Sequence, residues 1–252
     1  MKVIFNADDF GLTEGVNNGI VKAHLEGVVN STTMLVGMAA EKHAVSLAND
    51  LPTLKVGLHL RFTLGQPLTA HRCFVDESGD FLKYQDFWET KAFDSTAIYE
   101  ECIAQVEHFL RLGLNLSHLD SHHHAHVHPS LLPIVQEVAE KYSVPLRGEE
   151  VANRSLGQLR YKFTHEFYDQ GVDFKKLSQH LLDLKQEYDV VEVMCHPAEV
   201  DQALLDGSRY AIQREKELAI LTDDRLAVLL DRHAIEVTDY SALHTNRTFA
   251  GV

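Results

Sequence analysis

Val3-Ile4-Phe5-Asn6-Ala7-Asp8-Asp9-Phe10-Gly11 opens the chain with an apolar run that ends on two consecutive carboxylates. A short, mainly apolar run of this kind, here Val3 to Ala7, reads as a buried strand. Thr13 can cap a following helix from Glu14 to about Glu26, and Gly27 suits its C-terminal end. The same strand-then-helix unit recurs along the chain. Further strands are expected at Val28–Val36, Leu54–Leu60, Leu114–Leu119, Val144–Arg147, Val190–Cys195 and Ala234–Thr238. Helical spacing covers Ala39–Asn49, Glu100–Leu112, Pro129–Tyr142, Phe174–Tyr188 and Tyr210–Leu221. This alternation implies an α/β fold with a parallel sheet covered by helices. About seven strands favour an incomplete (β/α) barrel over an open doubly wound sheet, and the absence of GxGxxG weakens the dinucleotide-binding option.

In a barrel, reactive side chains gather at the C-terminal ends of strands. Asp8-Asp9, His59, Asp120-His122 and His196 all fall at such ends. The densest group is Ser117-His118-Leu119-Asp120-Ser121-His122-His123-His124-Ala125-His126-Val127-His128, with six histidines in twelve residues. Imidazole and carboxylate together suit a divalent cation better than a hydrophobic core. Of Asp8 and Asp9, one reads as a cation ligand and the other as the acceptor of a proton from bound water. The alternative is that one of them caps the helix. Neighbouring residues of a regular strand face opposite ways, so both can serve only where the strand breaks, and Phe10-Gly11 supplies a break. His59 alone reads as a buried histidine, but together with the other two clusters it reads as a ligand. On an extended segment Asp120, His122 and His124 share one face, which makes His122 the natural ligand and Asp120 a group to orient it or a neighbouring histidine. His123, His126 and His128 read as a solvated polar loop. His196, in Cys195-His196-Pro197, is a general-acid candidate. Arg147 either pairs with an aspartate and holds it ionised or is an ordinary surface arginine.

Two stretches interrupt the rhythm of what reads as one domain over residues 1–252. Arg61 to Ser95 carries Phe62, Phe74, Phe81, Tyr84, Phe87 and the single tryptophan, Trp88; Glu149 to Asp173 carries Arg154, Tyr161, Phe163 and Tyr168. Such insertions at an active face shape substrate binding. The aromatic rings, Phe62 and Trp88 among them, either stack on sugars or form a local cluster over the rim. His244 to Val252 reads as a loose tail.

Composition narrows the partners. A net charge of -14, from 23 basic and 37 acidic residues, argues against nucleic acid and favours a neutral substrate. Cys73, Cys102 and Cys195 form no framework, no apolar run reaches membrane-spanning length, and the first residues do not read as a signal peptide. A soluble cytoplasmic enzyme is expected, and a homodimer suits a barrel of this kind.

Asn6-Ala7-Asp8-Asp9-Phe10-Gly11, Gly57-Leu58-His59-Leu60, Ser117 to His122 and Cys195-His196-Pro197 together resemble the YdjC-like carbohydrate deacetylases, with Arg214-Glu215-Lys216-Glu217 fitting as well. The resemblance spans about residues 3 to 240. It implies a distorted (β/α) barrel related to the polysaccharide deacetylases. It also implies a divalent metal on Asp9, His59 and His122, with Asp8 as the base. The family is described with magnesium, although two imidazoles and a carboxylate suit zinc equally. The implied reaction releases acetate from N-acetylated amino sugars or chitooligosaccharides; on the reading of the residues themselves, His196 protonates the departing amine while Asp120 and Arg147 support the site from behind. Two rival readings are a metal-dependent phosphoesterase, which would need several basic residues at the site, and a non-enzymatic metal-binding protein, which would need neither Asp8 nor His196.

Overall fold

The computed structural model describes residues 1–148 and 159–243. The first ten residues of the second insertion, Arg154 included, and the C-terminal tail from His244 lie outside the described residues.

A parallel sheet of seven strands forms the centre. The strands are β1 (Lys2–Phe10), β2 (Ser31–Met34), β3 (Lys55–Leu60), β4 (Leu119–Ser121), β5 (Tyr161–Thr164), β6 (Val190–Cys195) and β7 (Glu236–Thr238). They run in the order β4-β3-β2-β1-β6-β5, and β7 pairs with Lys2–Ile4 of β1. Helices α1 (Glu14–Leu25), α2 (Glu41–Asp50), α3 (Tyr84–Glu89), α4 (Ser95–Arg111) and α5 (Leu132–Lys141) lie in the first part. After β5 come α6 (Phe174–Leu184), α7 (Gln202–Gly207), α8 (Ile212–Leu221) and α9 (Asp224–Arg232). Thr13 caps α1, its hydroxyl accepting from the Val16 amide at 3.2 Å.

Among the described residues no ladder joins β4 to β5, yet the sheet is strongly curled. Arg147 follows a single bridge between Leu146 and Leu119 of β4, and its Nε donates to Glu192 of β6 at 2.7 Å. Three strands separate β4 from β6 in the sheet order. Only a sheet rolled most of the way into a barrel brings those groups into contact, which agrees with the incomplete barrel expected from the sequence.

Local differences from the expected elements have simple causes. Val144–Arg147 contributes one bridge rather than a strand, because Leu146 sits at the open edge beside Leu119. The strand expected at Leu114–Leu119 is assigned only from Leu119, although backbone bonds to β3 start at Ser117 and His118. β5 went unrecognised because Tyr-Lys-Phe-Thr occupies an edge and lacks a continuous apolar run. No helix among the described residues is long and apolar enough to cross a membrane.

The late strand-end segment is fixed by a very close helix contact. A Cβ built on Gly19 of α1 would lie 2.3 Å from the Ala198 Cα, and the Glu199 amide donates to the Gly15 carbonyl at 2.9 Å. Helix α1 thus presses its backbone against the chain just beyond His196. Gly19→Ala is expected to cost about 1–3 kcal/mol through overpacking. Chemical denaturation measures it, and an unchanged midpoint would rule out the close approach.

Candidate active site

The two N-terminal carboxylates point into one site because β1 is broken between them. Its pairing with β2 runs Asn6 to Ser31 and Ala7 to Thr32, then skips to Phe10 with Met34, so β1 carries one extra residue. Asp9 absorbs the bulge at φ 73°, a left-handed conformation that an aspartate tolerates at a cost of roughly 1–3 kcal/mol. The break therefore falls on Asp9 itself, one residue before Phe10-Gly11.

Asp9, His59 and His122 converge. Asp9 Oδ1 lies 3.0 Å from His122 Nδ1 and 3.5 Å from His59 Nε2. Ligand atoms about 2.0–2.2 Å from a common ion are separated by such distances, so the three donors fit one divalent cation. His59 Nδ1 is 2.7 Å from Asp120 Oδ1, and Thr33 Oγ1 lies 3.0 Å from the same nitrogen. The carboxylate places the proton on Nδ1 and leaves the Nε2 lone pair facing Asp9, the arrangement that orients metal-binding histidines. Burial disfavours a charged His59, but Asp120, Asp8 and Asp9 outweigh it and raise its pKa. The site thus attracts positive charge.

Behind these donors sits Arg147, 1% exposed. It makes a fork to Asp8 (Nη1 to Oδ2 2.8 Å, Nη2 to Oδ1 2.7 Å) and reaches Asp120 Oδ2 at 2.9 Å as well as Glu192. Burial alone would raise the Asp8 pKa, yet Arg147 outweighs it and holds the carboxyl well below the usual range. Asp9 is lowered likewise: against burial, Arg214 and then His122 dominate, and Arg214 Nη2 donates to Asp9 Oδ2 at 2.6 Å. Asp8, Asp9, Asp120 and Glu192 are all buried, and the guanidiniums facing them are those of Arg147 and Arg214. Four carboxylates against two guanidiniums leave a shortfall that one divalent cation would cancel. Asp8, His59 and Asp120 form a second cluster of potential donors, but there Arg147 already occupies the cation's place.

His196 lies at the end of β6, with its ring edge toward Tyr168 (5.6 Å) and Tyr210 (5.7 Å). Its backbone N–H donates to Glu217 Oε2 at 2.5 Å, and Tyr210 Oη donates to Glu217 Oε1 at 2.5 Å. Burial, then Arg214, pushes the imidazole down to about 3, whereas burial pushes Glu217 up to about 8.

The structure brings Asp8, Asp9, His59, Asp120, His122, Arg147 and His196 together, but it revises several other expectations. The extended alternation proposed for Asp120 to His124 ends at Ser121, where the chain enters a 3-10 turn with His123 and His124 both at φ 55°. His126 and His128 are not a solvated loop. Both are buried: the Ser121 hydroxyl contacts His126 Nδ1 at 2.6 Å, and the Ser130 amide and Thr90 carbonyl hold His128. His123 is exposed, as a loop residue would be. Phe62, expected to stack on a sugar, is 1% exposed and packed against Phe74 and Phe81, so neither face of its ring is free. Trp88 is half-buried against Phe87 and His128. The exposed ring of this insertion is Tyr84, edge-on to His123 at 5.3 Å.

Arg214, Glu217, Glu192 and Thr33 were not singled out as site residues from sequence. A signal existed for three of them. Glu192 is a charge inside the apolar run Val190–Met194, and Arg214 and Glu217 share the buried stripe of α8 with Leu218 and Leu221. Thr33 had none.

A family model described as YdjC-like protein matches residues 2–232. A carbohydrate deacetylase of Vibrio cholerae is 63% identical over 243 residues, 96% of either chain. One from Brevibacillus brevis is 42% identical over 250 residues, 96% of this chain and 100% of the relative. Among solved structures, an Enterococcus faecalis protein described as a candidate cellobiose-phosphate cleavage protein superposes with a TM-score of 0.87. It is 33% identical, over 97% of this chain and 99% of its own. A peptidoglycan N-acetylglucosamine deacetylase, 14% identical, shares the fold at a TM-score of 0.53, over 96% of this chain and 87% of its own.

Asp9→Ala, His59→Ala and His122→Ala are each expected to lose a bound divalent metal. His128→Ala is expected to keep it while unfolding at lower temperature, because it deletes two hydrogen bonds and aromatic contacts. Elemental analysis and thermal melts of the four variants read both effects, and full metal in the first three would reject the site.

Proposed function

The chain belongs to the YdjC-like family, and from that membership and its site we propose that it is a carbohydrate deacetylase that releases acetate from N-acetylated amino sugars. The observation that carries the mechanism is the pairing of an ionised, fork-bound Asp8 with the Asp9–His59–His122 donor set, under a histidine that can serve a leaving amine.

A divalent ion held by Asp9, His59 and His122 would acidify water and polarise the acetyl carbonyl. The donor set suits zinc, while magnesium follows from family resemblance alone. Asp8 accepts the proton of the attacking water. Held so far down by Arg147, it is a weak base, effective only toward a water already made acidic. Arg147 also fixes its direction, and Asn6 Nδ2, 3.0 Å from Asp8 Oδ1, supports the same pose. His196 delivers a proton to the departing amine. Its imidazole is neutral in the free site, so the proton must enter through Nδ1. Glu217 Oε1, its carboxyl pushed up to about 8, lies 3.9 Å from that nitrogen, beyond hydrogen-bonding distance, so a transfer between them requires the two side chains to approach. Tyr84 and Trp88 are the rings proposed to meet the sugar, Tyr84 being the more exposed and edge-on to His123.

A phosphoesterase would need cations free to hold phosphate. Among the described residues Arg147 faces three carboxylates here and Arg214 one, with only Arg214 Nη1 left without a hydrogen-bond partner, so the site offers a phosphate a single guanidinium nitrogen. A passive metal-binding protein would have no use for the Arg147–Asp8 fork or for His196. The acidic composition and sparse cysteines fit a cytoplasmic enzyme with a sugar partner and no nucleic acid.

Metal-loaded protein is expected to release acetate from diacetylchitobiose and to release no phosphate from generic monoesters. The reverse pattern would sink the assignment. Asp8→Asn is expected to keep its metal and lose about 10²–10⁴-fold in turnover, the usual worth of a general base. Wild-type turnover in that variant would reduce Asp8 to a structural partner of Arg147.

A further inference from the structure

Asp8 and Asp9 are neighbours, yet their carboxylates are held differently, and the difference lies in two arginines. Arg147 closes a fork on Asp8, with one bond to each oxygen. That is the pairing a guanidinium and a carboxylate commonly adopt. Arg214, 4% exposed in the first turn of α8, does not adopt it at Asp9. Its Nε donates to the Tyr210 carbonyl at 2.8 Å, which leaves Nη2 to reach Asp9 Oδ2 at 2.6 Å. Asp9 Oδ1 is the oxygen that faces His122 Nδ1 and His59 Nε2.

This single bond has a cost. Arg214 Nη1 is buried without a hydrogen-bond partner, and a buried donor left in that state calls for an explanation. A fork through Nη1 and Nη2 would satisfy it, but would also cover Asp9 Oδ1. Neither partner is free to turn. Asp9 is fixed left-handed at the bulge of β1, and the Arg214 carbonyl accepts the Ala198 amide at 3.4 Å, two residues beyond His196. One arginine thus closes Asp8 to a cation, while the other keeps half of Asp9 open to one.

We propose that Arg214 is a positioning residue that confines Asp9 to one-oxygen ligation and so sets which divalent ion the Asp9–His59–His122 donors prefer. Zinc is satisfied by three protein donors and an open fourth position. Manganese and magnesium take six ligands and favour oxygen, so a carboxylate free to offer both oxygens would suit them better. With Oδ2 held by Arg214, Asp9 cannot chelate, and the donor set turns toward zinc. The proposal rests on that donor set and is independent of the substrate.

Two variants test it. Arg214→Met removes both side-chain bonds and keeps a long, unbranched side chain on the buried stripe of α8. Arg214→Gln ends about where Nε lies, so it reaches Tyr210 but not Asp9, and it serves where the first variant fails to fold. Zinc affinity is read on metal-free full-length protein by competition with a chromophoric chelator, and manganese affinity by the electron paramagnetic resonance of the free ion. Both ions carry the same charge, so loss of the guanidinium charge cancels in the ratio of the two affinities. The zinc-to-manganese ratio is expected to fall by about tenfold, the lower end of what losing a group behind a metal ligand costs. An unchanged or larger ratio in either folded variant would overturn the proposal and leave Arg214 to balance charge alone. A wild type that binds neither ion would remove the donor set itself, and the proposal with it.

Discussion

Arg147 is the constraint on which the site depends. One guanidinium, fully enclosed, faces carboxylates from three separate strands: Asp8 of β1, Asp120 of β4 and Glu192 of β6. Taking such charges out of water is expensive, and removing one partner of a buried pair typically costs about 3–5 kcal/mol. The arrangement is tolerable because each donor finds an acceptor, and Tyr161 also donates to Glu192 from β5. The barrel interior therefore carries a polar brace where most barrels pack aliphatic side chains. That brace fixes the curl of an incompletely closed sheet and sets the ionisation and direction of the group proposed as base.

The brace would be useless if the backbone did not deliver the carboxylates correctly. Regular strands alternate faces, so Asp8 and Asp9 cannot both enter the site from an unbroken β1. The bulge and the left-handed Asp9 solve this, and a similar cost recurs at His123 and His124 just after His122. Backbone strain of about 1–3 kcal/mol per residue persists only where surrounding contacts fix it. Here the contacts are the ones that define the site: Arg214 on Asp9, and the Thr63 hydroxyl on His123 at 3.0 Å. Strain and donor placement are two aspects of one local geometry.

Much of this was legible in the sequence, and the limits have physical reasons. Strand ends announce themselves because apolar runs stop at Asp8-Asp9, His59 and Cys195-His196, and the parallel fold follows from the alternation. Register and turn geometry are tertiary, so the exit of the chain after Ser121 and the burial of His126 and His128 could not be read from spacing. Aromatic composition likewise shows that rings are present but not which face is free: Phe62 fills the core while Tyr84 meets solvent. Residues that support the site from a helix distant in sequence, Arg214 and Glu217, were visible only as charges on an otherwise apolar stripe.

The histidine-rich stretch then takes on a different meaning. Of its six imidazoles only His122 belongs to the candidate metal donors, and the question is what the rest contribute. Burial lowers the pKa of His118 and His126 well below the ordinary value and pushes His124 down to about 3, so all three are neutral at physiological pH. His118 stacks on buried Tyr240 at 3.5 Å, and His126 braces the turn through Ser121. A lysine at any of these positions would bring a fixed positive charge toward carboxylates arranged to attract a cation. An aliphatic residue would leave the hydrogen-bonding groups of the turn unmet. Neutral imidazole avoids both faults: His118 and His126 each meet a serine hydroxyl through Nδ1, Ser117 and Ser121 respectively, while adding no charge to compete with the ion. The density of histidine around the site is thus explained by electrostatics rather than by the number of metal ligands.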